Sequence, residues 1–325
     1  MQRSSFDTTL RPQIWEEYIG QKRLKQNLSV IIEAAKKRGE PIEHLLFYGN
    51  SGLGKTTLAH VIAREMGAGL KTCSGPTLER AGDVASLLTN LEEGDILFLD
   101  ECHRIHKSVA EMLYSAMEDF KLHLIIGKGP LARTMELEIP RFTLIGATTR
   151  LALLSAPFRN RFGATFQFTF YEPPDIEQIL KRSARILQVQ LQPKAIEAIA
   201  RRSRLTPRVA NRILKRVRDF ATVKGVKEIT PEIAQEALEF LGIDAFGLEA
   251  GDRKVLSVII NQFSGGPVGI NSLAASCAEE QETILDVYEP FLIQSGFLER
   301  TPKGRVATKA AYEHLNVRQN LLNNI

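Results

Sequence analysis

The sequence predicts an α/β fold in which a parallel sheet is covered on both faces, followed by helical segments and a short C-terminal hairpin. Three observations predict it. Continuous apolar runs, HLLFYG (44–49), DILFLD (95–100) and RFTLIGATT (141–149), are separated by stretches of helical periodicity. Strands buried on both faces read as such runs, and the intervening helices cover the sheet. A glycine-rich segment, GNSGLGKT, joins the first run to the first helical pattern. From the Pro-Pro pair near residue 173 to about Leu241 the periodicity is helical.

Composition bounds the answer. A chain of 325 residues can build two or three domains with their own cores. It is 44% hydrophobic and 25% charged, as soluble globular proteins are. No run approaches the ~18 apolar residues of a membrane span, and MQRSSFDTTLRPQ lacks the apolar core of a signal peptide. Cys73, Cys102 and Cys277 are scattered and form no C-x-x-C. That excludes a disulfide framework or zinc site and fits a cytoplasmic location. Net charge is only +4, but Lys181 to Asp219 holds twelve Lys/Arg against Glu197 and Asp219. Two readings stand for that stretch, a nucleic-acid surface and solvated helix faces.

Along the chain, a helix is expected from Lys55 to a C-cap at Gly67, and another over SVAEMLYSAMEDF. KLHLIIG (121–127) and RTMELEIP (133–140) flank a Gly/Pro turn and read as a β-hairpin inserted at 121–140. Alternation puts Leu122, Leu124 and Ile126 on one face, expected to be exposed for a partner. YEPPD (171–175) reads as a linker in which Pro-Pro stops regular structure and Asp175 caps the next helix. Helices then run to about Leu241, and LGIDAFGLEAGD is a second linker. Three short helices, near 252–263, 270–279 and 281–295, precede the Gly-tipped hairpin, which describes a winged helix. The expected domains are 1–171, 172–243 and 244–325.

Gly49-Asn-Ser-Gly52-Leu-Gly54-Lys55-Thr56 fits the P-loop pattern. Its glycines let backbone N–H groups turn toward phosphate at a helix N-terminus. Lys55 is expected on the β- and γ-phosphates of ATP and Thr56 on Mg²⁺. Asp100-Glu101 closes the second apolar run, 45 residues after Lys55. Asp100 there can hold the Mg²⁺ shell, and Glu101 can orient the attacking water. Thr148 and Thr149 end the third run; a hydroxyl there serves either as a γ-phosphate sensor or as a cap. In PFRNRFG, Arg159 and Arg161 suit either an arginine finger reaching a neighbouring subunit or an ordinary charged surface.

With these residues in place, the chain resembles the RuvB family of AAA+ ATPases, which drive Holliday-junction branch migration. The resemblance runs over roughly residues 9 to 317. It is carried by LRPQIWEEYIGQ, LFLDECHRIH, LYSAMEDFKLHLIIGKGPLAR, FTLIGATTRLALLSAPFRNRFG, TPRVANRILKRVRDFA and DVYEPFLIQSGFLERTPKGRVAT. It implies an AAA+ P-loop domain, a small helical lid and a winged-helix head. It also implies a homo-hexameric ring that drives duplex DNA through four-way junctions in recombination and repair. Partners implied are a RuvA-like junction-binding protein on hairpin 121–140 and a RuvC-like resolvase.

By the same resemblance, ATP would be held by Leu10, Arg11, Gly52, Gly54, Lys55, Thr56, Thr57, Glu118, Asp119, Phe120 and Tyr171. Arg161 would be the finger, Arg208 a second sensor, and Arg300 and Arg305 DNA contacts. Departures are Leu205, where the family usually has glycine, and Gln281, where it usually has an arginine. Cys102 and His106 stand for an aliphatic residue and Asn, Cys102 reading as a small core residue.

A second class of function is a nucleotide-gated regulator whose winged helix reads sequence. Against it, QETILDVYEPFLIQS carries three acids and no Lys or Arg, while Arg300, Lys303 and Arg305 lie on the wing. Base reading needs donors on the helix, whereas a motor needs only phosphate contacts.

Overall fold

The three apolar runs form the centre of one five-stranded parallel sheet in the computed structural model, which describes residues 9–126 and 133–317. They are β1 (Leu45–Tyr48), β3 (Ile96–Asp100) and β6 (Thr143–Thr148). The strand order is β2-β3-β6-β1-β7, with β2 (Leu70–Ser74) and β7 (Ala164–Gln167) on the edges. Every residue of β6 is buried. β2 is instead half-buried or exposed along its length, so LKTCS never reads as a core strand.

Helices pack on this sheet through faces spaced for 3.6 residues per turn. In α1 (Lys22–Arg38) the buried residues are Leu24, Leu28, Ile32 and Ala35. Lys36, Lys37 and Arg38 fill its last turn, where cations oppose the helix dipole. α2 (Lys55–Met66) ends at Gly67, whose left-handed φ of 64° lets its N–H reach back to the Ala63 and Arg64 carbonyls. α3 (Ala81–Thr89) and α4 (Lys107–Glu118) close the other side, and the short α5 (Ala156–Arg159) precedes β7.

β4 (Lys121–Ile126) and β5 (Arg133–Glu138) pair antiparallel, with Leu122 opposite Leu137 and Leu124 opposite Met135. The expected exposed face is corrected here. Leu122 is fully buried in the core with Leu113, Met117 and Ile139, and Leu124 is half-buried against it. The cause is the second residue after α4: Phe120 takes a left-handed φ of 54° and accepts from the Ile139 N–H, folding the hairpin base onto the core. The side chain of Ile126 and the Gly127–Pro130 turn lie outside the described residues.

The chain divides into two compact units, Met1–Tyr171 and Glu172–Ile325. In the second, α6 (Pro173–Ile186) begins on the Pro-Pro pair, with Glu172 at its N-cap. Pro173 thus starts the helix, because a first-turn residue needs no N–H partner and φ near −65° suits it. Asp175 lies in the first turn and is not the cap. α7 (Pro193–Arg201), α8 (Pro207–Val223) and α9 (Pro231–Phe240) follow, with the two-residue strands β8 (Gln190–Leu191) and β9 (Glu228–Ile229) paired beside them. Much of the basic stretch is paired, Arg201 with Glu197 and Arg218 with Asp219.

The C-terminal segment has α10 (Ala250–Gln262), α11 (Ile270–Cys277) and a helical stretch of Gln281–Thr283, a π turn Ile284–Tyr288 and Glu289–Gln294. The wing is β10 (Leu298–Thr301) against β11 (Gly304–Ala307), with Arg300 opposite Arg305. Among the described residues, no helix is long and apolar enough to cross a membrane.

Candidate nucleotide site

β1, β3 and β6 end together, since Tyr48 pairs with Thr148 and Leu99 with Gly146. The carboxyl edge of a parallel sheet is where such folds bind ligands. The P-loop leaves β1 there. Gly49, Gly52 and Gly54 have φ of 141°, 81° and 99°, a region other residues enter at a cost. A β-carbon on Gly49 would stand 2.5 Å from the Phe168 carbonyl oxygen, and one on Gly54 2.7 Å from the Tyr18 hydroxyl.

Lys55 is 7% exposed, and its ammonium donates to the Gly49 and Asn50 carbonyls at 2.6 and 2.9 Å. A buried ammonium beside carbonyl dipoles is suited to anionic phosphate. Thr56 and Thr57, half-buried, follow in the first turn of α2. Asp100 and Glu101 lie half-buried at the end of β3, and Asp100 Oδ1 accepts from the Glu101 N–H at 3.0 Å. A hydroxyl and a carboxylate at this edge, Thr56 and Asp100, are the hard oxygen donors that Mg²⁺ prefers.

Two tyrosines close the other side. Tyr171 donates to the Leu53 carbonyl at 3.1 Å, and its hydroxyl lies 3.4 Å from that of Tyr18. Tyr18 in turn reaches the Gly54 carbonyl at 3.4 Å. Burial, and then the neighbouring Tyr171, push the Tyr18 phenol well above its ordinary value. Leu10 is buried, and Arg11 lies close enough to α2 to help burial lower the pKa of His60. Tyr18 was not singled out in the sequence; it stands within LRPQIWEEYIGQ, where only tertiary packing reveals its role. His103 was missed too. Its Nδ1 is 2.9 Å from Thr148 Oγ1 and its Nε2 3.5 Å from Glu101 Oε2.

Arg161, Glu118, Asp119 and Phe120 are not gathered at this edge. Arg161 precedes β7, which runs parallel to β1, so it sits at the sheet's amino edge. The lengths of β1 and β7, which pair side by side, separate it from the P-loop. Its guanidinium stacks 4.5 Å over the Tyr114 ring, donates to the Pro157 carbonyl at 2.8 Å and pairs with Glu118 at 3.1 Å. Glu118, Asp119 and Phe120, at the end of α4, therefore accompany Arg161 and not the P-loop of the same chain. Arg208 is exposed in the first turn of α8.

On the wing, Arg300 has a side chain 64% exposed. Arg305 corrects the expectation that both arginines project. It is 7% exposed, and its Nε and Nη2 both donate to Glu289. Arg305 is flanked on both sides, since β11 pairs with β10 and is also bridged to Val268.

Family models now decide the grouping. The Holliday junction DNA helicase RuvB P-loop domain matches residues 10–168, the RuvB AAA lid domain residues 171–244, and the RuvB C-terminal winged helix domain residues 245–316. The chain belongs to the RuvB family. A Holliday junction branch migration complex subunit RuvB from Dehalococcoides mccartyi is 56% identical, over 97% of this chain and 90% of the relative. Its namesake from Kosmotoga olearia is 55% identical, over 95% and 90%. The structure of the Thermotoga maritima RuvB Holliday junction branch migration motor matches with a TM-score of 0.88 at 48% identity, over 95% of this chain and 99% of that one.

The places where this RuvB sequence departs from the usual pattern have visible geometry. Leu205 takes the left-handed conformation, φ 52°, in which glycine is at ease, beside Arg204 at 54°. Arg204 holds that loop by donating to Asp252 at 3.0 Å and to the Val287 carbonyl at 2.9 Å. Burial pushes the Asp252 carboxyl up, while Arg204 opposes the rise. Cys102 is buried in the core, and burial drives its thiol pKa far up, which makes it inert.

Proposed function

We propose that this RuvB chain is an ATP-driven DNA motor that moves Holliday junctions, acting as a ring of identical copies. The observation that carries the reading is the separation of its two charged centres. Lys55 lies at the carboxyl edge of the sheet and Arg161 at the amino edge, so one copy cannot bring both to the same phosphate. A closed ring can, with each Arg161 facing the neighbour's P-loop.

In this reading Gly52, Gly54, Lys55, Thr56 and Thr57 hold the phosphates of ATP, while Leu10, Arg11 and Tyr171 border the rest of the nucleotide. Glu101 orients the attacking water. Thr56 and Asp100 would hold Mg²⁺, which when bound supplies charge neutralisation on the β- and γ-phosphates. Arg161, with Glu118, Asp119 and Phe120 beside it, meets the nucleotide of the next copy. Arg208, in the first turn of α8, is the second sensor.

DNA is held through phosphates, by Arg300 and Lys303 on the exposed wing. A sequence-reading regulator is disfavoured, because the helical stretch 281–294 presents Glu282 and Asp286 and no basic group. The hairpin at 121–140 is the surface for a RuvA-like junction-binding partner, and a RuvC-like resolvase would act on the same junction.

The test is migration of a synthetic four-way junction. We expect ATP-dependent conversion to duplex products, accelerated by the RuvA-like partner. ATP turnover without any junction conversion, with the partner present, would overturn the motor reading.

A further inference from the structure

Glu101 and Thr148 are joined by a single imidazole. His103 sits on the 3₁₀ turn Cys102–Arg104 that follows β3, pinned from below by the buried Cys102. Its side chain is only 5% exposed. The turn is set by Glu101 itself, whose left-handed φ of 49° aims its carbonyl at the Arg104 N–H, 2.9 Å away. Gly75 makes room, since a β-carbon there would stand 2.4 Å from the Glu101 carbonyl oxygen.

Counting protons fixes the direction of the chain of contacts. A carboxylate only accepts, so the His103 Nε2 that faces Glu101 at 3.5 Å carries a hydrogen. In the neutral ring Nδ1 then accepts, and the donor 2.9 Å away is the Thr148 hydroxyl. Thr148 Oγ1 meanwhile accepts from the Arg150 N–H at 2.9 Å. With the ring neutral, the one proton of Thr148 is directed to His103. In this arrangement it is not offered to a phosphate, and Thr148, itself fully buried, acts inward. Thr149, the next residue, is half-buried and closer to solvent.

We propose that His103 is a positioning residue that fixes the carboxylate of Glu101 and makes its orientation depend on Thr148. The inference rests on the reading of Glu101 as the group that orients water. An imidazole merely filling the turn would also be buried and bonded to Thr148, but its loss would disturb binding and turnover together. A positioning residue changes turnover alone.

The experiment uses the full chain assembled on duplex DNA and measures kcat and KM for ATP. Asn at 103 places its amide near Nδ1 and cannot reach Glu101, whereas Gln places a donor near Nε2. His103→Asn should lower kcat by about tenfold or more with KM within about twofold, and His103→Gln should recover most of that loss. Thr148→Val should slow the parent but add nothing in the His103→Gln background, where the link is already cut. Parent-like turnover in His103→Asn, equal damage with raised KM in both histidine variants, or the same Thr148→Val effect in both backgrounds would each overturn the inference. Glu101→Gln is the control for the underlying reading. If it turned over normally, the role of Glu101 would fall, and with it any role for His103 through it.

Discussion

Arg305 and Glu289 form a buried ion pair in which Nε and Nη2 donate to the same carboxylate oxygen, at 3.0 and 2.9 Å. The other oxygen faces Arg300 Nη1 at 3.6 Å, yet Arg300 extends into solvent. Two arginines directly opposed on one hairpin thus have different work. One neutralises a carboxylate that is 3% exposed; the other is available to an incoming phosphate.

The two substitutions should therefore separate. Arg305→Ala leaves a buried charge without its partner and should cost about 3–5 kcal/mol of head stability, read by thermal unfolding. Arg300→Ala should unfold as the parent does and lower the slope of log affinity against log salt by about 0.9 per lost contact. It should weaken unrelated duplexes equally. A normally stable Arg305→Ala protein with a reduced salt slope would instead return Arg305 to the DNA surface.

What was legible in the sequence follows a physical line. β1, β3 and β6 are covered on both faces, so their apolar runs announce them. β2 and β7 pair on one side only and carry polar residues such as Lys71 and Gln167, which hides them. The P-loop and Asp100-Glu101 were legible because phosphate and metal chemistry demand fixed residue types at fixed spacing. His103 and Tyr18 were not. Each acts through contacts made by distant segments, His103 with Thr148 and Tyr18 with Tyr171, and no spacing rule foretells them. The hairpin face failed for a related reason: alternation shows which residues share a side, but not that Leu122 meets Leu113 and Met117 while Met135 remains exposed.

One departure from the family pattern bears on stability alone. His106 is the N-cap of α4, with extended φ and ψ of −66° and 147°, but its side chain makes no cap bond. Asn, the residue that the resemblance leads one to expect here, can accept from an orphan N–H of the first turn. His106→Asn should stabilise the P-loop unit by roughly 0.5–2 kcal/mol. Thermal unfolding should rise by about 2–4 °C for each kcal/mol gained. No rise would mean that the first turn is satisfied in another way.

The hairpin offers a second test, and the corrected burial changes which residue to use. Leu122 is core, so a charge there would unfold the unit and say nothing of partners. Met135, opposite Leu124, is 41% exposed. Met135→Lys should leave ATP turnover by the isolated ring unchanged and abolish its acceleration by the RuvA-like partner. Full acceleration would place the docking surface away from β5.

Mixing two inactive proteins tests the shared site. Lys55→Ala removes the phosphate-binding ammonium from a copy's own P-loop, and Arg161→Ala removes the group it would offer its neighbour. Each ring alone should be nearly inactive, since comparable fingers are worth about 10³–10⁵ in rate. In a mixed ring, an Arg161→Ala copy keeps an intact Lys55, and a Lys55→Ala neighbour keeps an intact Arg161. Where the two meet in the right order, one complete site forms. Turnover should therefore reappear on mixing and peak near equal proportions, with no gain from adding parent-free buffer or either variant to itself. The resting geometry adds a condition, because Arg161 is held by Glu118, Pro157 and the Tyr114 ring. If Glu118 serves only to hold the finger, Glu118→Gln mixed with Lys55→Ala should also recover turnover. Mixed rings that assemble yet stay silent in the Arg161→Ala pairing would show that Arg161 works within its own copy, and the separation of the two edges would then need a different explanation.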